Sequence, residues 1–155
     1  MIDATIELAR LFIERYQDKA EQATAAARIR ESIHRELRLN AELAAEAERI
    51  RGDEPNLAER LILRMSTQSF DALAAAGLPL ASIFPDAWRI ADDPPPAYRR
   101  QFETINQVSE LVERAYHRIC IQQIRSEVGQ IKDPRAYRYL AVLLGKAAQA
   151  TKSSA

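Results

Sequence analysis

The chain has 155 residues, a mass of 17.5 kDa, 22 basic and 22 acidic side chains, and hydrophobic residues at 47% of its positions. A chain of this length and hydrophobicity can bury a core without a disulfide or a structural metal ion, and it is too apolar to be intrinsically disordered. A formal net charge of zero gives no overall field that would attract nucleic acid or anionic lipid, so only local patches could bind them.

The first predicted element is one long amphipathic helix over residues 2–51. This range contains neither glycine nor proline, apolar residues recur every three or four positions, and Gly52 follows as a helix cap. The apolar stripe of this helix is made of Ile2, Ile6, Ala9, Ile13, Tyr16, Ala20, Ala23, Ala26, Ile29, Ile33, Leu37, Asn40, Leu43, Ala47 and Ile50.

The length of this predicted helix is unusual for a chain of this size. Fifty helical residues rise about 75 Å, whereas a compact chain of 155 residues is roughly 40 Å across. Either the helix protrudes and its apolar stripe is covered by another chain, or the helix breaks and folds back. The expected break lies between Ala20 and Ile29, where successive three-residue steps move the stripe around the helix.

Several short helices are predicted over residues 56–91. Asn56 is the expected cap of the first, and Ser66 or Thr67 is the expected cap of the next, which Gly77 ends. Prolines interrupt the rest of this range, so only short helical turns are expected there.

A proline-rich linker over residues 92–96 precedes a second long helix, predicted for residues 96–131. Its apolar stripe is made of Tyr98, Phe102, Ile105, Val108, Val112, Ala115, Ile119, Ile124, Val128 and Ile131. Asp133 followed by proline is a helix-start pattern, so a final helix is predicted over residues 134–150, with a frayed tail over 151–155.

The predicted class is therefore all-α. No run shows the alternation of apolar and polar residues that is typical of a strand, and four glycines are few for a protein built of hairpins. We predict a single helical domain over residues 1–150, a bundle with two long helices, several short ones and no sheet.

The cysteine content and the N-terminal sequence bear on location. Cys120 is the only cysteine, which favours a reducing compartment, and we expect it to be a small core residue. The start of the chain carries Asp3 and Glu7 where a secretory signal has positive charge, and no stretch is long and apolar enough for a membrane span. The expected location is cytoplasmic, and abundant arginine and alanine suggest a bacterial origin.

Few residues favour catalysis or metal binding. Glu31 and His34 have the spacing of a di-iron ligand pair, but His117 lacks a matching glutamate three residues before it. His117 and Cys120 could supply two metal ligands, or a base beside a thiol, yet the sequence supplies no third group. No glycine-rich phosphate loop or hydrolase motif is present, so we expect no cofactor and favour a non-catalytic protein.

Arginines cluster on the first predicted helix at Arg28, Arg30, Arg35 and Arg38. Glutamates lie among them, which is typical of a solvated helix face. The alternative is that this face binds nucleic acid or phosphate.

Part of the chain resembles a known class of proteins. The residues that carry the resemblance are Glu36–Asn40, Ser66–Asp71, Gly77-Leu78 and Phe102–Asn106. From Arg35 to about Gln123 the chain resembles uncharacterised prokaryotic α-helical modules that are often attached to membrane helices. In such modules an aromatic residue stands where Phe70 stands, and a membrane span commonly precedes the first motif.

This sequence departs from those modules because its first 22 residues are amphipathic and charged, so no membrane span is expected. The resemblance implies a helical fold and brings no activity, substrate or cofactor with it.

The leading functional hypothesis is a non-catalytic module for protein–protein interaction, either self-associating or a subunit of a larger bacterial complex. Asn40 on the apolar stripe could fix the register or number of associating helices. The candidate interface residues are Ile2, Ile6, Ile13, Tyr16, Ala23, Ala27, Ile33, Leu37 and Asn40.

Overall fold

A computed structural model describes residues 19–90, 98–129 and 133–152 of the protein, and these ranges form helices joined by short turns. The helices are α1 (Lys19–Ile50), α2 (Pro55–Leu63), α3 (Gln68–Ala75), α4 (Leu80–Ile83), α5 (Arg99–Glu103), α6 (Val108–Glu127) and α7 (Pro134–Thr151). No strand occurs in these ranges, where the only β-type pairing is an isolated bridge between Ala87 and Gln107. The all-α prediction is confirmed.

Helix α1 is continuous across the place where a break was expected. It runs from Lys19 through Ala20 and Ile29 to Ile50, and Ala25 and Ala26 are buried. The small side chains therefore permit close packing and do not interrupt the helix. The part of the predicted first helix before Lys19 lies outside the described residues.

Helix α7 forms the most extensive helix–helix contact of the described residues, an antiparallel packing against α1. Asp133 caps α7 as predicted, because its side chain accepts a hydrogen bond of 2.9 Å from the Arg135 amide. At the other end of α7, Thr151 Oγ1 lies 3.1 Å from Nδ1 of His34. The inner face of α7 is made of Tyr137, Leu140, Leu143, Leu144, Ala147 and Ala148, all buried.

Helix α6 runs parallel to α1. Tyr116 Oη donates a hydrogen bond of 2.7 Å to Glu36. Seven residues later, Gln123 Nε2 donates a bond of 2.9 Å to the Met65 carbonyl, and the residue after Met65 is hydrogen-bonded to Asn40. Positions later in α6 thus lie beside positions later in α1, so the chain between them must travel back along the bundle through α2, α3 and α4.

The predicted second long helix is divided in the structure. Helix α5 ends at Glu103, and α6 begins only at Val108. Gly129 adopts a left-handed conformation with φ of 65°, which is typical of the residue that follows a helix end, so α6 stops at Glu127. Residues 91–97 and 130–132, which include the predicted linker and Ile131, lie outside the described residues.

The apolar stripe predicted for this helix is wrong at its C-terminal end. Ile119 is fully buried, but the next inward positions are Gln122 and Ser126, while Ile124 and Val128 are exposed. The physical reason is helix geometry, because five residues turn a helix by about 140° beyond one full turn, whereas three or four residues keep a side chain on the same face. Ile124 follows Ile119 by five positions and therefore faces outward.

Two of the predicted helix boundaries of the 56–91 range are confirmed and one is wrong. Thr67 is the N-cap of α3, and Gly77, with φ of 69°, follows its C-terminal end. Helix α2 starts one residue before the predicted cap, with Glu54 at the N-cap and Pro55 in the first helical position. Proline suits this position because its missing N–H would have no helical acceptor there.

Candidate interaction surface

Asn40 is fully buried, and its side chain is hydrogen-bonded inside the chain. Its Nδ2 donates a hydrogen bond of 2.7 Å to the Ser66 carbonyl, and its Oδ1 accepts one of 3.0 Å from the Ser66 amide. This double contact pairs the backbone N–H and C=O groups of Ser66, in the turn between α2 and α3, with a single side chain. In the described protein, Asn40 positions this turn.

Glu36 lies one helical turn before Asn40 and binds the start of α3. Its carboxylate accepts a hydrogen bond of 2.8 Å from Ser66 Oγ, another of 3.1 Å from the Ser69 amide and a third of 2.7 Å from Tyr116 Oη. Ser69 is in the first turn of α3, where unpaired amides and the helix dipole favour a negative charge. A carboxylate from α1 thus caps α3, although Thr67, the N-cap residue, makes no side-chain bond to the helix backbone.

Two further residues of α1 continue this row towards its N-terminal end. Ser32 Oγ lies 2.8 Å from Ser69 Oγ, and Arg30 donates a hydrogen bond of 3.3 Å to the Ile83 carbonyl at the end of α4. We call the row of Arg30, Ser32, Glu36 and Asn40 the α1 ladder. Its side chains bind the end of α4, the first turn of α3 and the turn before α3 at successive positions along α1.

Tyr116 connects the α1 ladder to α6. Its side chain is fully buried, and its ring stacks on Phe70 with centroids 4.5 Å apart and an angle of 14° between the planes. Burial raises the pKa of the Tyr116 phenol well above its ordinary value, and the negative charge of Glu36 raises it further. The phenol therefore stays protonated and donates to Glu36.

The residues that carry the sequence resemblance meet in this network. Glu36 and Asn40 come from the first of its motifs, and Ser66, Ser69 and Phe70 come from the second. Residues of both motifs make the hydrogen bonds and the ring contact that join α1, α3 and α6. The pattern thus has a structural explanation within the described residues, and it does not identify a ligand site.

The outer face of α6 carries an exposed apolar row, and two of its three members, Ile124 and Val128, were predicted to belong to the buried stripe. Ile121, Ile124 and Val128 are 41%, 64% and 61% exposed. We call these three residues the α6 stripe. Their spacing of three and then four residues places them on one side of the helix. Leu63 at the end of α2 is also exposed, and Gln123 bonds the backbone on both sides of it.

An open groove of about 510 Å³ continues from the α6 stripe towards the start of α6. Ile121 lines both features. Arg118 lies with its guanidinium carbon 5.0 Å from the centre of the Tyr139 ring, and Arg114 donates to the Gln101 carbonyl. The two arginines are thereby held in place, and the groove forms a polar border beside the apolar stripe.

The predicted interface residues divide into three groups. Ile33, Leu37 and Asn40 are fully buried in the core of the chain, so they do not form an exposed surface. Ala23 and Ala27 are exposed on α1. The others, Ile2, Ile6, Ile13 and Tyr16, lie outside the described residues.

The four predicted basic residues do not act as one patch. Arg30 turns inward to the Ile83 carbonyl, and Arg35 pairs with Glu31 at 3.0 Å in an exposed ion pair. Arg28 and Arg38 are exposed. This arrangement weakens the case for a nucleic-acid or phosphate site on this face.

The candidate metal and nucleophile residues are dispersed. His34 is next to Thr151, while His117 Nε2 lies 3.9 Å from Glu113 on the exposed side of α6. In the described ranges no three or more His, Cys, Asp or Glu side chains come close enough to hold a metal ion. The prediction that Cys120 is a core residue is wrong, because Cys120 is exposed. It follows Ile119 by one position, which turns it about 100° away from the buried face.

Comparison with models of protein families, with curated proteins and with solved structures found no match for this chain. None of the described helices is both long and apolar enough to cross a bilayer. The α6 stripe, which holds three of the five exposed large hydrophobic side chains of the described ranges, is the surface feature that bears most directly on function. The sequence did contain a signal for the stripe, namely the five-residue step from Ile119 to Ile124.

Proposed function

We propose that this protein is a non-catalytic, self-associating interaction module that uses the α6 stripe as its contact surface. One observation carries the proposal. Of the five large hydrophobic side chains that are exposed in the described ranges, three form the α6 stripe and a fourth, Leu63, lies at the same end of the bundle. Clustered apolar exposure of this kind is typical of protein–protein contact sites, whereas single exposed residues are ordinary.

Physical chemistry explains why this surface favours association. Burying a large aliphatic side chain fully is worth about 1.5–3 kcal/mol relative to leaving it in water. The inner face of α6 already packs on the core through Leu111, Ala115 and Ile119, so the α6 stripe is a second apolar face on the same helix. An amphipathic helix laid along such a face is a recurring mode of protein recognition.

The surroundings of the α6 stripe also resemble an interface. Interfaces commonly have an apolar centre and a polar, solvent-accessible rim that includes arginine. Here Arg118 and the exposed Arg125 flank the stripe. The proposal keeps the cytoplasmic location expected from the cysteine content.

The test compares the full-length protein with two matched variants by sedimentation velocity over a wide range of concentrations. Ile124→Asp places a charge in the α6 stripe, and Leu39→Asp places the same charge at the fifth exposed hydrophobic residue, on α1. We expect the unchanged protein and Leu39→Asp to associate, and Ile124→Asp to remain a 17.5 kDa monomer. Circular dichroism checks that both variants are folded.

Two results would refute the proposal. One is an unchanged protein that stays monomeric throughout the concentration range. The other is an Ile124→Asp variant that associates as strongly as Leu39→Asp.

A further inference from the structure

The sequence of residues 1–18, which lie outside the described ranges, predicts an amphipathic helix with an apolar side. Building on the proposed function, we propose that the α6 stripe of one copy of the chain binds residues 1–18 of a second copy. The exchange is reciprocal, so that each copy supplies one segment and one stripe and the assembly closes as a dimer. Charge, apolar spacing and reach support this choice of occupant.

The charges of the two surfaces are complementary. Residues 1–18 contain four acidic side chains and two arginines. Around the α6 stripe, α6 carries exposed Arg125 and half-buried Arg118, and exposed Arg60 and Arg64 lie close in sequence to exposed Leu63, against exposed Glu127 next to the stripe and Glu110 and Glu113 further along the groove. Opposite charges at the rim of an apolar contact select the partner and speed its association.

The apolar spacings of the two helices also match. The predicted apolar side of the segment is made of Ile2, Ile6, Ala9, Ile13 and Tyr16, with steps of four and three residues in turn. The exposed side of α6 continues the same alternation through His117, Ile121, Ile124 and Val128. Two helices with this alternation can insert the side chains of one between those of the other along a shared seam.

The reach of the segment argues for a second copy. Gln123 of α6 is bonded to Met65, and the next residue is bonded to Asn40, so Ile124 lies near the level of Asn40 along α1. The helix rises about 32 Å between Lys19 and Asn40. Eighteen residues in a helix span only about 27 Å, before any residue is used to reverse direction. Ile121 lies three residues, or about 4.5 Å, nearer, but reversing direction uses several of the eighteen residues, so a helical segment falls short of Ile124 and Val128 of its own chain.

The experiment mixes two full-length variants. The segment variant carries Ile6→Asp and Ile13→Asp and keeps an intact stripe, whereas the stripe variant carries Ile124→Asp and keeps an intact segment. We expect each variant alone to raise the dimer dissociation constant by on the order of a hundredfold, as expected for charges placed at central apolar contacts. Their equimolar mixture should associate more tightly than either alone, because one of the two exchanged contacts is restored. Leu11→Asp, on the side of the predicted helix opposite the apolar side, is the matched control and should associate like the unchanged protein.

A disulfide test identifies the contact directly. Cys120 is the only cysteine, is exposed and precedes Ile121. A copy carrying Thr5→Cys, which flanks the apolar side, and Cys120→Ser is mixed with an unchanged copy that bears a tag of different size, under oxidising conditions. We expect a disulfide-linked heterodimer on a non-reducing gel, joined between position 5 of one copy and Cys120 of the other.

The outcomes separate this inference from the proposed function. If Ile124→Asp abolishes association while the segment variant associates normally, the α6 stripe is an interface but its occupant is another element of the second copy, which overturns the inference alone. Failure of the mixture to regain association, or absence of the disulfide-linked heterodimer, overturns it as well. An unchanged protein that is monomeric at every concentration overturns both.

Discussion

Replacing Glu36 with glutamine tests the central network of the structure. The substitution keeps the shape of the side chain but removes the charge that accepts bonds from Ser66, Ser69 and Tyr116. A hydrogen bond to a charged group contributes about 1.5–3 kcal/mol, against about 0.5–1.5 kcal/mol for a neutral pair. With about 1 kcal/mol lost at each of the three bonds, Glu36→Gln should lower the free energy of unfolding by about 3 kcal/mol.

Urea unfolding followed by circular dichroism measures this loss, and thermal unfolding provides a second readout. For a domain of this size, 3 kcal/mol corresponds to a fall in Tm of about 6–12 °C. Glu31→Gln is the matched control, because Glu31 pairs with Arg35 in solvent and such exposed pairs contribute about 0–1 kcal/mol.

A free energy of unfolding for Glu36→Gln within about 0.5 kcal/mol of that of the unchanged protein, the size expected of an ordinary surface substitution, would contradict this role of Glu36. Tyr116→Phe provides a further check, since it removes one of the three donors but keeps the ring that stacks on Phe70. The double variant should lose less stability than the two single losses added together, because both changes remove the same bond.

Three other predictions concern pH and glycine. The raised pKa of Tyr116 means that the folded state favours the neutral phenol, so its contribution is fully present below about pH 10 and declines as the pH rises above the ordinary tyrosine pKa. Tyr116→Phe should therefore flatten the alkaline fall of the urea midpoint, and an unchanged slope would contradict this assignment. Gly145→Ala should raise the free energy of unfolding by about 0.5–1 kcal/mol, because Gly145 lies within α7 and an added Cβ meets no atom within 4 Å. Gly77→Ala should lower it by about 1–2 kcal/mol, because φ is 69° there, and the opposite order in thermal melts would count against both assignments.

The features that the sequence predicted correctly depend on local patterns. Asp133 followed by proline starts α7, Thr67 begins α3, and the glycine at position 77 follows the end of α3. Each signal acts within a few residues, through the capping of backbone groups or the left-handed conformation of glycine. Such signals are readable without knowledge of the tertiary structure.

The features that were missed depend on which side of a helix meets the core. Ile124 and Val128 continue an apolar pattern in the sequence, yet the core-facing positions of α6 after Ile119 are polar residues, Gln122 and Ser126. The prediction followed the apolar character of the residues and not their angle around the helix, so Ile124, Val128 and the exposed Cys120 were assigned to the core.

The contact between Glu36 and Tyr116 lies beyond local sequence patterns for a different reason. The two residues are separated by 80 positions, and only the parallel arrangement of α1 and α6 brings them together. Glu36 is indistinguishable in the sequence from the solvent-facing glutamates that surround it on α1, such as Glu31.

The α1 ladder has a consequence for the order in which the chain folds. Helices α3 and α4 have eight and four residues, and isolated helices shorter than about 12–15 residues are marginal in water. Side chains of α1 bind the first turn of α3 and the last residue of α4, so these helices gain lasting structure only once α1 is present as a template. Formation of α1 should therefore precede that of the short helices and set the position along α1 at which each one docks.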